Sequence, residues 1–282
     1  MTTPLDYDRF ASISLEQLIE EAALQTRVDR KYVLPQSAAA GVVDALDSGI
    51  RILDTDGTRA FRYESVYFDT PDLLSFRLAA QPRRRRFKIR TRTYVESRTA
   101  FLELKTRGAR SATVKDRVGY RVTDRGILTD EARGYAAEGL DAIGIDGERA
   151  DDLRMRLTTR YRRATFIAPD GSARSTIDTE LEWRDVSGGT LSTPRLAIIE
   201  TKSGSAASDF DRALWRAGHR PVSISKYATG LAALHPELPR NRWSRLLRGP
   251  FAGATLSLND TDTDTRTTDH TPTEETPCAH AA

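Results

Sequence analysis

The chain has 282 residues, 39% of them hydrophobic and 29% charged, enough apolar content for a packed core. No run approaches the roughly 18 apolar residues that cross a bilayer, and residues 1–8 lack the basic-then-apolar order of a secretory signal. The single cysteine, Cys278, excludes an internal disulfide and a cysteine zinc site and fits a reducing, cytoplasmic setting. The net charge of +3 conceals an asymmetry. From Ala254 onward six acids oppose one base, a net −5, so residues 1–253 carry +8. A basic body calls for an anionic partner, whether nucleic acid, a membrane surface or phosphorylated molecules.

Residues 1–26 read as an N-terminal segment whose amphipathic helix packs on the main domain. Ser14 is its N-cap, Gln17 completes the capping box, and Leu15, Leu18, Ile19 and Ala22 form an apolar stripe as far as Gln25. Arg27 to Leu34 is a strand stopped by Pro35, with Arg27, Asp29 and Lys31 on one face. Gln36 to Asp47 is a second helix ended by Ser48-Gly49. Phe61 to Asp69 is an aromatic-rich strand, broken by Thr70-Pro71-Asp72 and followed by a short helical turn through Leu73, Leu74 and Phe76.

The run from Arg83 to Tyr94 is the most distinctive stretch. From Arg86 it alternates: Arg86, Lys88, Arg90 and Arg92 share one face of a strand, and Phe87, Ile89, Thr91 and Thr93 the other. Such a row of cations repels itself unless anions answer it. Strands at 100–106 and 113–122 follow. Leu102 and Leu104 oppose Glu103 and Lys105, and Lys115, Arg117 and Arg121 oppose Val114, Val118 and Val122. Residues 128–157 read as helical or irregular. Strands resume at 158–167 with Tyr161 and Arg163 on one face, at 174–184 with Arg174, Thr176 and Asp178 together, and at 195–202 with Ile198, Glu200 and Lys202 together. Phe210 to Ala217 is helical, and Ser225-Lys226-Tyr227 opens a last helix to Leu234. Residues 250–282 form an acidic Thr/Asp/Pro-rich tail expected to be disordered, because it has too little apolar content to repay its ordering entropy.

Seven strands thus carry a basic residue on a charged or mixed face, and three place a carboxylate beside it: Asp29 with Lys31, Glu103 with Lys105, Glu200 with Lys202. Consecutive strands with short turns imply an antiparallel sheet, and closure removes its edges. A barrel with a filled apolar core needs no helical jacket, so the helices place the charged faces inside. The expected fold is α+β: a closed antiparallel β-barrel with a polar, basic interior, jacketed by helices. A lining of about ten Lys and Arg with a few acids suits a polyanion plus a metal, the combination phosphoryl transfer needs. Nucleic acid is the weaker partner, because the cations alternate with apolar residues rather than with stacking aromatics. No Ser-His-Asp or Cys-His arrangement and no Gly-rich P-loop stands out, and the tryptophans and histidines read as structural.

Nine short motifs occur in an order that resembles the VTC (vacuolar transporter chaperone) domain of polyphosphate polymerases, within the triphosphate tunnel metalloenzyme, or CYTH-like, superfamily. They are Asp29-Arg30-Lys31-Tyr32, Tyr67-Phe68-Asp69-Thr70-Pro71-Asp72, Lys88-Ile89-Arg90-Thr91-Arg92, Phe101-Leu102-Glu103-Leu104-Lys105 and Lys115-Asp116-Arg117. Further on come Tyr161-Arg162-Arg163, Arg174-Ser175-Thr176-Ile177-Asp178, Ile199-Glu200-Thr201-Lys202 and Ser225-Lys226-Tyr227. The resemblance implies an eight-stranded tunnel over residues 27–249 that moves the γ-phosphate of ATP onto a polyphosphate chain, releasing ADP and using Mn²⁺ or Mg²⁺. It implies phosphate contacts at Lys31, Arg90, Arg92, Lys105, Lys115, Tyr161, Arg163, Arg174, Ser225 and Lys226, and a metal ligand at Glu200. Lys202 lines the same wall, with Asp29, Glu103 and Asp178 as further tunnel acids. Where many tunnel enzymes begin with two glutamates alternating with a lysine, this chain has Arg27, Asp29 and Lys31. That departure leaves the number of metals open. Tripolyphosphate or nucleoside triphosphate hydrolysis, and binding of polyphosphate without turnover, are the competing activities.

Overall fold

A computed structural model describes residues 5–21, 28–108 and 113–257. In chain order its elements begin with β1 (Ala11–Ile13), α1 (Leu15–Glu21), β2 (Val28–Pro35), α2 (Gln36–Asp44), β3 (Arg51–Leu53), β4 (Phe61–Asp69) and α3 (Leu74–Ala80). Next come β5 (Arg86–Tyr94), β6 (Thr99–Arg107), β7 (Thr113–Tyr120), α4 (Asp130–Asp141), β8 (Arg154–Ile167), β9 (Ala173–Asp185), β10 (Thr190–Thr193) and β11 (Leu196–Ser203). The last are α5 (Asp209–Arg216), α6 (Lys226–Leu234), α7 (Ser244–Arg248) and β12 (Thr255–Ser257).

Eight of the strands form one continuous antiparallel ladder in the order β2–β11–β9–β8–β4–β5–β6–β7. β9 is long enough to pair with β8 along one edge and with β11 and then β10 along the other. The ladder's two ends, β2 and β7, do not pair with each other among the described residues. The closed barrel expected from sequence is therefore corrected to a sheet left open in its hydrogen bonding. One reason lies at the β2 edge, where Val222 on the segment entering α6 donates to the Lys31 carbonyl (2.7 Å).

The alternation read in the sequence sorts the two faces. On one face Val66, Phe68, Phe87, Ile89, Leu102 and Leu104 pack on Ala132, Ala136 and Leu140 of α4. On the same side of the other half-sheet, Tyr32, Leu34, Phe166, Ile177 and Ile199 pack on α2 and α5. Helices α2, α4 and α5 thus cover that apolar face, as expected, whereas α6, expected beside them, packs on the opposite one. The opposite face is apolar only at one end, where Tyr63, Tyr67, Tyr161, Leu181, Trp183 and Ile198 cluster with Tyr227, Ala228 and Leu231 of α6. That helix approaches closely. Trp183 Nε1 donates to the Lys226 carbonyl (2.8 Å), and a Cβ at Gly230 would fall 2.3 Å from the indole.

Several boundaries differ from expectation. The first helix is described only over Leu15–Glu21, and its expected end at 22–25, together with Arg27, lies outside the described residues. β8 begins at Arg154 rather than 158, because a register shift at Tyr67/Phe68 lets Met155 and Arg154 pair with Phe68 and Asp69. The short strands β1, β3, β10 and β12 were not anticipated. The tail expected from residue 250 instead joins the fold as far as Ser257: Phe251 is buried against Trp183, and β12, exposed along its length, pairs with β10. Residues 258–282, including Cys278, lie outside the described residues.

Candidate functional site

The remaining part of the face on which α6 packs bounds a cavity of about 190 Å³ to which each strand of the ladder contributes. β2 supplies Asp29 and Lys31, β11 Glu200 and Lys202, β9 Arg174, β8 Tyr161 and Arg163, and β4 Tyr67. β5 supplies Lys88, Arg90 and Arg92, β6 Glu103 and Lys105, and β7 Lys115. Ser225 and Lys226 at the start of α6 complete the lining. Fourteen of the fifteen site residues expected from sequence meet here; the other, Asp178, lies behind the wall and grips two of its cations. The period of two is what aligns them. A strand turns every second side chain the same way, and antiparallel register sets Arg90 opposite Glu103, Lys105 opposite Lys115, and Glu200 opposite Lys31.

Each acid is engaged by cations. Glu103 is 3% exposed and accepts from Arg90 Nε (2.8 Å) and Lys115 Nζ (2.9 Å), with Arg92 at 3.6 Å. Burial alone would raise its carboxyl, but Arg90, Arg92 and Lys115 hold it well below the usual carboxylate range. Asp178 accepts both Nε (2.6 Å) and Nη2 (2.8 Å) of Arg163 and also Lys226, and it too is held low against burial by those charges. Glu200 contacts Lys202, with Lys31 at 3.9 Å, and Asp29 sits opposite Lys202 in the ladder. The sequence placed Glu103 beside Lys105. Its ion-pair partners are instead on β5 and β7, because neighbours across a sheet lie closer than residues two apart along a strand.

Ten cations (Lys31, Lys88, Arg90, Arg92, Lys105, Lys115, Arg163, Arg174, Lys202, Lys226) against Asp29, Glu103, Asp178 and Glu200 give the site a formal excess of +6 with every lysine protonated. The excess is visible in the lysines. Burial lowers Lys88 well below its ordinary value, and Lys31, Arg90, Lys105 and Lys226 push it further. Burial also lowers Lys31, Asp29 opposing. Lys202 is pushed down to about 6 by burial, with Asp29 opposing and Arg163, Lys31 and Arg174 adding to the shift. Burial would raise the Tyr161 phenol, but Arg92, Arg163 and Lys226 outweigh it and pull it below its ordinary value. Tyr161 Oη, Arg92 Nε and Thr176 Oγ1 are buried without a hydrogen-bond partner among the described residues. Ser225 caps α6 by accepting from Ala228 N (3.3 Å) and also accepts from Lys88 Nζ (2.7 Å). The positive end of that nine-residue helix therefore faces the cavity.

Sequence reasoning left Tyr67 out of the site. It lies in the cavity wall, and its hydroxyl accepts from Arg90 Nη1 (3.0 Å). The signal was present in the alternation Tyr63, Ser65, Tyr67 along β4, which carries no charge and so drew no attention.

A protein-only metal cage does not fit these residues. Among the described residues no group of three or more His, Cys, Asp or Glu side chains could hold a metal ion. The donor set fits a divalent ion taken by one carboxylate and the oxygens of a bound phosphate chain, the mode typical of Mg²⁺ sites. No helix among the described residues is long and apolar enough to cross a membrane.

The sequence matches the family described as the VTC domain over residues 26–235. No curated protein matches the chain. Among solved structures, HpAC1 from Hippeastrum, described as a candidate adenylyl cyclase with a dominant triphosphatase activity, is similar at 18% identity. That alignment covers 77% of this chain and 100% of the other, with a TM-score of 0.48. The PH1819 protein of Pyrococcus horikoshii OT3 is similar at 15% identity over 73% of this chain and 97% of its own, TM-score 0.40. A candidate adenylate cyclase from Vibrio parahaemolyticus is 14% identical over 74% and 86%, TM-score 0.36.

Proposed function

This chain belongs to the VTC domain family, and from that premise we propose that it makes inorganic polyphosphate, moving the γ-phosphate of ATP onto the end of a growing chain and releasing ADP. The observation that carries this reading is the lining itself: cations from seven of the ladder's eight strands converge on one cavity in which every carboxylate already faces a cation. Such a site has unanswered positive charge for phosphate oxygens. Arg90 and Arg163 turn paired donors to Glu103 and Asp178, whereas Tyr161 Oη and Arg92 Nε are buried donors with no acceptor among the described residues.

The step is a displacement at the γ-phosphorus. A terminal oxygen of the acceptor chain forms the new P–O bond while the bond from the γ-phosphorus to the β,γ-bridging oxygen breaks, and its electron pair leaves with ADP. The acceptor oxygen is already anionic and needs no base. Attack by water would need a proton removed; the cavity carboxylates are engaged by cations, and Lys202, held at about 6, is the group that could take it. Arg90, Arg92, Arg163 and Lys226 hold the chain and donor in line and offset the charge spread over the transferring group. Glu200 would hold a Mn²⁺ or Mg²⁺ ion, whose charge would supply further neutralisation.

Incubating the protein with ATP and Mn²⁺ and resolving the products on a polyacrylamide gel stained for polyphosphate tests the reading. A ladder of chains is expected. Orthophosphate as the sole product would transfer the site to the hydrolases, and tight polyphosphate binding without turnover would make it a binding module.

A further inference from the structure

The run Arg83–Arg86 remains unexplained by the cavity just described, yet its last member opens β5. Arg86 lines a second cavity of about 200 Å³, together with Arg107, Arg242 and Trp243. Lys88, Lys105 and Ser225 line both cavities, so the two abut at those residues. This outer chamber is as large as the inner one and, among the described residues, has no carboxylate in its lining.

Its cations are placed against their own repulsion. Register sets Arg86 directly opposite Arg107 and Lys88 directly opposite Lys105, and like charges facing each other across a ladder destabilise it. Burial lowers Arg86 below its ordinary value, and Arg107 and Arg242 add to the effect. Arg242 is braced from behind, its Nη1 donating to the Ala79 carbonyl (2.6 Å) and its Nε to Ser223 Oγ (3.2 Å). Trp243 is 2% exposed and packs on Phe76, so it offers no open face on which a base could stack. The chamber's chemistry is that of arginine forks for phosphate oxygens.

We propose that Arg86, Arg107 and Arg242 form an outer subsite that binds a segment of inorganic polyphosphate continuous with the chain in the inner cavity, giving the protein a preference for long chains over short ones. This rests on the polyphosphate reading of the inner cavity, since a second subsite is of use only to a ligand long enough to reach it. The two subsites then act on one linear ligand, and occupancy of the first raises the effective concentration at the second.

The test compares Mg²⁺-free binding of inorganic tripolyphosphate, ATP and a long-chain polyphosphate fraction by isothermal titration calorimetry, in the full chain and in the double variant Arg86→Gln/Arg107→Gln. Thermal unfolding of both proteins serves as the folding control. Wild type should bind the long chain at least about tenfold more tightly than tripolyphosphate, and the double variant should lose most of that advantage, since loss of two charge-assisted contacts is of that order. Tripolyphosphate and ATP should bind the two proteins nearly equally. Equal affinity of wild type for long and short chains overturns the proposal. So does an equal loss for both chain lengths in the variant, which would assign the arginines to the inner cavity or the fold. Weakened ATP binding with intact tripolyphosphate binding would make the chamber a nucleoside site and also overturn it. Failure of tripolyphosphate to bind wild type would sink the reading of the inner cavity and with it the continuous chain proposed here; tripolyphosphate binding without any long-chain advantage would sink the outer subsite alone.

Discussion

Glu103→Gln isolates the electrostatic logic of the cavity. The substitution keeps side-chain shape and one acceptor oxygen but removes the charge shared by Arg90 (2.8 Å), Lys115 (2.9 Å) and Arg92 (3.6 Å). The site's formal excess, with every lysine protonated, rises from +6 to +7 at a residue that is 3% exposed. Removing one partner of a buried ion pair costs about 3–5 kcal/mol. Lys115 is 38% exposed at its side chain and can reach water, so the low end applies. A domain of this size loses about 2–4 °C per kcal/mol, so the empty variant should unfold roughly 6–12 °C below wild type. A bound polyanion supplies the missing negative charge. Tripolyphosphate should therefore raise the variant's Tm by more than it raises that of wild type. Circular dichroism melts with and without tripolyphosphate measure both quantities. A drop smaller than about 2 °C, or equal recovery in the two proteins, would refute the view that Glu103 serves as the counter-ion of a phosphate site.

Three further outcomes follow from the same geometry. Gly230→Ala drives a Cβ to within 2.3 Å of the Trp183 indole and should destabilise by about 1–3 kcal/mol through overpacking; a neutral melt would show that α6 can shift away. Polyanion binding should take up protons, because Lys31, Lys88 and Lys202 are held below their ordinary values in the empty site, Lys202 at about 6. For the empty protein the unfolded chain binds more protons between that value and the ordinary lysine range. Stability should therefore climb as pH rises from 6, and tripolyphosphate should flatten the slope. Calorimetry in two buffers of different ionisation enthalpy reads the uptake directly, and proton release would contradict it. Glu200→Ala should weaken the dependence of turnover on divalent metal while leaving metal-free tripolyphosphate binding equal or tighter, since it also frees Lys202 and Lys31. A large loss of metal-free binding would remove Glu200 from the metal role.

Much of this architecture was legible because a strand writes its two faces into alternate residues. Phe61–Asp69 and Arg86–Tyr94 were read with their observed bounds, and the inward rows on β5, β6, β9 and β11 followed from the same period. Closure was not legible. Whether β2 pairs with β7 depends on a contact distant in sequence, and Val222 occupies part of that edge instead. The partners of Glu103 were missed for a related reason: register between strands is set by turns and bulges rather than by composition. Residues 250–257 carry no readable pattern because the anchor, Phe251, stands among small residues without a period of two or 3.6. Tyr67 was missed because hydroxyls in a charge-lined wall carry no pattern of their own.

The fate of the γ-phosphate tests the central claim most directly. Phosphorus-31 NMR of the protein turning over ATP with Mg²⁺ should show resonances of interior chain phosphates growing in step with ADP, with little orthophosphate. Growth of the orthophosphate signal in step with ADP, and no interior resonances, would contradict the account.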